Sequence, residues 1–365
     1  MKSVYIHIPF CNTICTYCDF CKFYYNKKWV SDYLNSLEKE IKANYKGEMI
    51  KTLYIGGGTP SSLSIEELEK LFSIIEIFDK SKCIEFTFEC NIENLTEEKT
   101  NFLIEHGVNR LSIGVETFHE KYLTFLNRHH KIKEVEEKIN YLKKIGFRNI
   151  NIDLIYALPN QTIEEVREDV AYFLKLEIPH ISVYSLMIED NTILSIQKVE
   201  EIEEDLDARM YENIEQILTK NGYIHYEISN FGKKGFFSEH NLVYWNNEEY
   251  YGFGVGASGY IDKVRYDNTR NIINYIKGDY IIESHKLSQN EIIENEFILG
   301  FRKLDGINLN RFYQKYHQNI TNYSIIKKLL KEEKLIIIDG NIKIKDEYIY
   351  ISNQILYQLL GEKYE

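Results

Sequence analysis

Over residues 1–190 the apolar positions switch repeatedly between a period of two and a helical period. "SVYIHIPF" reads as a strand, and "SDYLNSLEKEIKANY" then sets Tyr33, Leu34, Leu37 and Ile41 on one helical face. "IKTLYIGGGTP" is a strand that runs into glycines, and "SIEELEKLFSIIEIF" opens with Ser64 and Glu67 spaced as a capping box. The alternation continues through "IEFTFEC", "TEEKTNFLIEHG", "RLSIGVET", a long helical stretch, "NINIDLIYALP", "TIEEVREDVAYFLKLE" and "HISVYSLMI". Six strands with helices between them are repeated βαβ units. The pattern therefore predicts an α/β fold with a parallel sheet, a partial (β/α)6 barrel.

The pattern changes near residue 200. A charged helix, "EEIEEDLDARMYENIEQILTKNGY", precedes an aromatic, glycine-spiced tract, "HNLVYWNNEEYYGFGVGASGYI". After about residue 285 come helices, and then "KLIIIDGNIKIKDEYIYI", two β runs that meet at Asp339-Gly340, a preferred hairpin pair. This predicts a smaller, winged-helix-like α+β domain at the C-terminus. The organisation read from the sequence is thus a partial barrel over 1–200, a barrel extension over 201–284 and a C-terminal domain over 285–365.

Composition narrows the function classes. The chain has 365 residues, is 44% hydrophobic and carries a formal charge of -12. That balance argues against nucleic acid as the main partner, because a phosphate backbone calls for a basic face. No run approaches the ~18 apolar residues of a membrane span, and the opening "MKSVYIHIPFC" lacks the apolar core of a secretory signal. The expectation is a cytoplasmic protein, in which clustered thiols stay reduced and bind metal or react.

In parallel barrels chemistry gathers at the C-terminal ends of the strands. The cysteine loop, "GGGTP", Glu89, Glu116 and Asp153 all fall at predicted strand ends. The loop "CNTICTYCDFC", Cys11 to Cys21, holds four of the chain's six cysteines. Cys11, Cys15 and Cys18, spaced C-x3-C-x2-C, suit three corners of a cubane 4Fe–4S cluster. The fourth iron is then open to the amino and carboxylate groups of a bound molecule. A four-thiolate zinc site completed by Cys21 and a closed four-cysteine electron-transfer cluster are the alternatives. Only the open cluster makes use of a loop that follows the first strand and faces "GGGTP". Cys83 and Cys90, in an apolar run, read as buried thiols.

These motifs resemble the radical SAM (S-adenosylmethionine) superfamily. "YIHIPFC-x3-C-x-YC", "IGGGTP", "FEC", "GVETF", "NR" at Arg128, "NIDLIYALPNQT" and "HNLVYW" narrow the resemblance to one branch. That branch contains oxygen-independent coproporphyrinogen III oxidase and the radical SAM haem chaperones. The resemblance implies that Cys11, Cys15 and Cys18 ligate a 4Fe–4S cluster whose open iron binds the methionine part of SAM, and that the cluster's electron cleaves SAM to a 5′-deoxyadenosyl radical. It implies that Gly57, Gly58 and Thr59 meet the methionine amino group, that Arg128 clamps the carboxylate and that Tyr17 lies against the adenine. Tyr5, Glu89, Glu116 and Asp153 match further polar contacts to SAM, and His7 could lie beside the cluster.

The sequence also departs from the branch. Glu116 stands where glutamine is usual, Ile92 where proline is usual and Ser258 where histidine is common, and Cys21 falls one position later than the oxidase's extra cysteine, so it is read as a non-ligand. The oxidase carries an N-terminal extension that this sequence lacks ahead of Ser3, whereas His240, Asn241, Tyr244 and Trp245 match the H-N-x-x-Y-W motif of the chaperones. The expectation is a haem chaperone with His240 in contact with haem, in which SAM and the cluster serve either turnover or structure, dimerisation and transfer. The oxidase, or another radical SAM enzyme, is the alternative. The implied partners are haem, haem-acceptor proteins and an electron donor, and a homodimer and peripheral membrane association are compatible with that role.

Overall fold

The apolar runs become strands of one large sheet in the computed structural model, which describes residues 1–360. Six of them are the strands expected from the sequence: β1 (Lys2–Ile8), β2 (Ile50–Gly57), β3 (Glu85–Asn91), β4 (Arg110–Glu116), β5 (Ile150–Tyr156) and β6 (His180–Ser185). They lie side by side in chain order and pair in parallel throughout. Helices such as Lys27–Asn44 and Ile65–Ile75 connect them, and the second begins with the Ser64–Glu67 capping box.

The sheet does not end at six strands. Ile224–Glu227 (β7) and Asn230–Gly232 (β8) add antiparallel strands beyond β6. Tyr250–Phe253 (β9) pairs in parallel with the other face-edge of β1, and Ser258–Ile261 (β10), Val264–Asn268 (β11) and Ile281–Lys286 (β12) continue as an antiparallel meander. The order is β12-β11-β10-β9-β1-β2-β3-β4-β5-β6-β8-β7. An edge strand leaves its N–H and C=O groups unpaired, and here the chain beyond the parallel core covers both edges.

Two layers of side chains alternate along the central strands. In β1, Val4, Ile6 and Ile8 are fully buried in the same core as Val30, Leu34, Leu37 and Ile41 of the helix Lys27–Asn44. Each such side chain contributes roughly 1.5–3 kcal/mol on burial. The alternate positions Ser3, Tyr5 and His7 are polar and turn to the barrel interior. The short helix Glu239–Trp245 closes the N-terminal end of the barrel. Its first two N–H groups, those of Glu239 and His240, donate to the Glu85 carboxylate at the start of β3 (2.8 and 3.0 Å), a negative charge placed on a helix N-terminus.

The C-terminal part combines helices Gln289–Gly300, Leu309–Tyr316 and Ser324–Lys331 with a three-stranded antiparallel sheet of Ile307–Asn308 (β13), Leu335–Ile338 (β14) and Asn341–Ile344 (β15). Ile338 pairs with Asn341, so the connection is the two residues Asp339 and Gly340, both at positive φ (50° and 79°). That is the conformation an Asp-Gly hairpin favours. No helix is long and apolar enough to cross a membrane among the described residues.

Candidate functional site

A cavity of about 460 Å3 opens at the C-terminal ends of β1–β6 and runs into the barrel. Cys11, Cys15, Cys18, Tyr17, Gly57, Gly58, Thr59, Glu89, Glu116, Arg128 and Asp153 all line it. These candidate residues, from six different strand ends and loops, thus meet around one space, whereas Tyr5, His7 and His240 do not line it.

The thiol loop is held by backbone groups from several directions. Phe10–Cys11 pairs in parallel with Phe23–Tyr24, which ties off the loop at its base. Its far side is fastened to the segment before Arg128: Thr16 N–H donates to the Leu126 carbonyl (3.2 Å), Thr16 Oγ1 to the Phe125 carbonyl (3.0 Å), and Asn127 Nδ2 to the Ile14 carbonyl (2.9 Å). Thr59 Oγ1 donates to Cys11 Sγ (3.5 Å), and Arg128 Nη1 approaches Cys15 Sγ at 3.7 Å. Burial pushes the Cys11 thiol up to about 11 and the Cys18 thiol to about 12, so both are protonated at neutral pH until a metal displaces the proton.

Cys21 lies apart from the cavity. Its thiol donates to the Arg270 carbonyl (3.6 Å), and a Cβ at Gly256 would come within 2.4 Å of its own Cβ. Among the described residues no three His, Cys, Asp or Glu side chains converge on a single point, as a tetrahedral zinc would require. Three thiols spread around one rim suit the larger body of an iron–sulfur cluster instead.

The glycine loop approaches the thiol loop too closely to carry side chains. A Cβ at Gly58 would stand 2.7 Å from the Pro9 carbonyl carbon and 3.0 Å from Cys11 Sγ. At Gly57, φ is 116° and a Cβ would strike the His7 ring at 2.6 Å. The Gly57 N–H donates to Glu89 Oε2 (3.0 Å), and Tyr54 OH donates to Glu89 Oε1 (2.6 Å). His7 is buried beneath this loop; its Nδ1 meets Tyr5 OH at 2.8 Å and its Nε2 meets the Cys21 carbonyl at 2.7 Å. Tyr5 is thus engaged with His7 one layer behind the lining, and His7 braces the loop.

Charge is concentrated where water is scarce. Burial is the leading cause that pushes the Glu89 and Glu116 carboxyls up to about 7, and it raises Asp153 as well. Asp153 accepts from Asn151 Nδ2 (2.8 Å) and Ser112 Oγ (3.4 Å). Glu116 sits at a register shift in β4 with φ 70°, a conformation unusual for a side-chain-bearing residue, which aims its carboxylate at Arg128 Nη2, 3.6 Å away. Arg128 also donates from Nη1 to Asn91 Oδ1 (3.0 Å) and from Nη2 to the Gly114 carbonyl, while its buried Nε has no partner. The three rim thiols, a cradle with no space for Cβ atoms and an incompletely satisfied guanidinium together fit a cluster with a small zwitterionic cofactor beside it.

His240 is placed differently from the sequence expectation. It is wholly buried in the helix that closes the barrel, and both ring nitrogens are engaged: Nδ1 with Thr52 Oγ1 (2.7 Å) and Nε2 with Tyr244 OH (2.8 Å). Burial lowers its pKa to about 3. As placed, the ring offers no lone pair to a haem iron; its neighbour Asn241 lines the cavity instead. Ser258 is exposed on β10 and donates to Asp267, and Ile92 begins a one-turn 3-10 helix and is buried. The sequence reading passed over Tyr54, Asn91, Arg110, Ser112, Asn151 and Ser182, and took Cys90 simply for a buried thiol, yet all of them line the cavity. The signal was present: polar residues alternating with apolar ones in strands otherwise buried on both faces.

Residues 5–173 match the model of the radical SAM superfamily. The chain is similar to the heme chaperone HemW of Lactococcus lactis subsp. lactis (45% identical over 323 residues, covering 86% of this chain and 85% of that protein). It is also similar to the heme chaperone HemW of Bacillus subtilis (38% over 378 residues, 99% of this chain and 100% of that protein). Among solved structures, coproporphyrinogen III oxidase (HemN) from Escherichia coli superposes with a TM-score of 0.86, covering 99% of this chain and 90% of that chain at 21% identity. At that identity the match shows the fold alone.

Proposed function

Because the chain belongs to the HemW heme chaperone family of the radical SAM superfamily, we propose that it is a haem chaperone, which binds haem and hands it to acceptor proteins. The observation that carries this reading is an identity of 45% spread over 86% of the chain. The likeness to the oxidase is one of fold and brings no activity with it.

The superfamily implies a 4Fe–4S cluster and SAM. Cys11, Cys15 and Cys18 would hold three irons. When bound, the cluster supplies electrons to SAM at its open iron. The residues around it bind and orient. The close backbone of Gly57 and Gly58 would admit the amino acid end of SAM, Arg128 would hold its carboxylate, and Tyr17, beside Glu116, would receive the adenine. Glu89, Glu116 and Asp153 would supply negative charge to the cationic groups of SAM in a dry interior, where electrostatic interactions count for more than in water.

The sign of the pH dependence follows. SAM brings positive charge, at its sulfonium and amino groups, to two carboxyls that titrate near 7 when the site is empty. Binding favours their ionised form and releases protons. Affinity is therefore expected to rise as pH increases from 6 to 8, and Glu116→Gln should flatten part of that rise. Titration calorimetry in buffers of different ionisation enthalpy measures the protons released. A flat affinity profile with no proton release would remove both carboxyls from the SAM site.

The function itself is tested by two assays on the anaerobically reconstituted protein. Haem is expected to bind stably, seen in its absorbance, and to pass to an apo haem protein on mixing. Coproporphyrinogen III with reductant and SAM is expected to remain unconverted. Protoporphyrinogen formed over many turnovers would replace the chaperone reading with the oxidase.

A further inference from the structure

A second arginine lines the cavity at its inner end. Arg110 opens β4, where it pairs with Thr87, and it lies six residues before Glu116 on the same strand, at the opposite end from the thiol rim. It is 2% exposed, yet its side chain makes neither a hydrogen bond nor an ion pair among the described residues, and its buried Nε has no partner. A guanidinium carries five donors and keeps its charge in proteins. Burying one with nothing to accept from it is costly unless an acceptor arrives.

The polar groups around Arg110 are already committed to one another. Both oxygens of Glu89 accept, from Tyr54 OH and the Gly57 N–H, and both of Asp153 accept, from Asn151 and Ser112. Asn151 Oδ1 meets His180 Nδ1 at 2.6 Å and accepts from Ser182 Oγ at 3.2 Å. Arg128, at the rim, is anchored by Asn91 and the Gly114 carbonyl, whereas Arg110 presents an unused fork to the cavity. A planar fork of donors in a dry space is matched by a carboxylate, which it can grip with two parallel hydrogen bonds.

We propose that Arg110 is the receptor for a carboxylate arm of the tetrapyrrole that this protein binds, separate from the carboxylate of SAM at the thiol rim. This rests on the reading that the ligand is a tetrapyrrole with propionate side chains. A carboxylate arm that reaches the inner end of the cavity would satisfy Arg110, and Phe20 and Met187, both more than half exposed, give the cavity an apolar entrance.

The test uses the reconstituted full chain with three probes: haem, haem dimethyl ester and SAM. The wild type is expected to bind haem about tenfold or more tightly than the ester, in line with a hydrogen-bonded charged pair. Arg110→Gln should weaken haem to the level of the ester and leave SAM affinity within about twofold, and Arg110→Lys should recover part of the loss. Equal binding of haem and ester by the wild type overturns the proposal, as does unchanged haem affinity in Arg110→Gln. Loss of SAM binding alone overturns it too, by assigning Arg110 to the SAM carboxylate. If Arg110→Gln fails to hold the cluster, the ester comparison on the wild type and Arg110→Lys decide. A wild type that binds no haem removes the chaperone reading; coproporphyrin III against its tetramethyl ester then decides the receptor, and equal or absent binding overturns it.

Discussion

Replacing any one of Cys11, Cys15 or Cys18 by alanine is expected to leave the protein without an iron–sulfur cluster, while Cys21→Ala keeps it. The three thiols line one rim, and each would hold one iron, so loss of one leaves two irons of the cubane without a protein ligand. No other cysteine is positioned to replace it: Cys21 packs beneath Gly256 with its thiol on the Arg270 carbonyl, and Cys83 belongs to the run before β3. Cys90 lines the cavity but from the β3 side, where burial keeps its thiol protonated. Iron and sulfide analysis after anaerobic reconstitution should therefore give four irons per chain for the wild type and Cys21→Ala, and close to none for the other three. Because the free thiols are raised by burial, cluster assembly must expel protons, and it should proceed more readily at pH 8.5 than at pH 7. Loss of the cluster in Cys21→Ala would overturn the ligand set.

His240→Ala is expected to destabilise the fold strongly without removing a haem ligand. The ring sits in a chain of hydrogen bonds. Thr52 Oγ1 gives its proton to Ser3 Oγ (2.8 Å), so it accepts from Nδ1 of His240, and Nε2 accepts from Tyr244 OH. This is neutral histidine with its proton on Nδ1, in keeping with the low pKa that burial produces. The ring also packs against Tyr54 and Tyr244, with centroids 5.1 and 5.0 Å away. Alanine would leave the buried Tyr244 hydroxyl without its acceptor, at about 1–3 kcal/mol, take from Thr52 one of its two hydrogen bonds, and open a cavity between two rings. The total is expected to reach about 3–5 kcal/mol, among the larger effects of single substitutions. Denaturant unfolding of the metal-free chain measures it. Haem affinity of the folded variant should stay near the wild-type value; a lost or shifted haem spectrum at unchanged stability would restore the ligand role.

These two substitutions mark what could be read from residues in order and what could not. The spacing of Cys11, Cys15 and Cys18 is local: a loop of eleven residues can bring its thiols together only on one rim, so the sequence carried that information directly. The six parallel strands were legible for a similar reason, because alternating periods of two and near four belong to backbone geometry. Glycines 57 and 58 and the Asp339-Gly340 turn are likewise written into residue type, since few other side chains tolerate those conformations or that space.

Depth within the barrel was not legible. Tyr5, His7 and His240 carry the same chemical possibilities in the sequence as Glu89 or Arg128, and only the long-range pairing of strands decides which of them meets the cavity and which is spent on a neighbour. Tyr5 is turned to His7, and His240 is sealed between Thr52 and Tyr244, 188 residues away from the former in the chain and four from the latter. The edges of the sheet were decided in the same way: β9 lies beside β1 across more than two hundred residues of intervening chain, a contact with no local signature. Arg110 is the clearest case. At the head of an apolar strand it gives no sign of its surroundings, and only the closed barrel, where Glu89 is engaged by Tyr54 and Gly57 and Asp153 by Asn151 and Ser112, leaves it a buried cation without a hydrogen-bond partner. Residue spacing determined the chemistry at the rim, whereas burial, which exists only once distant strands close on one another, determined which interior groups remain free to bind.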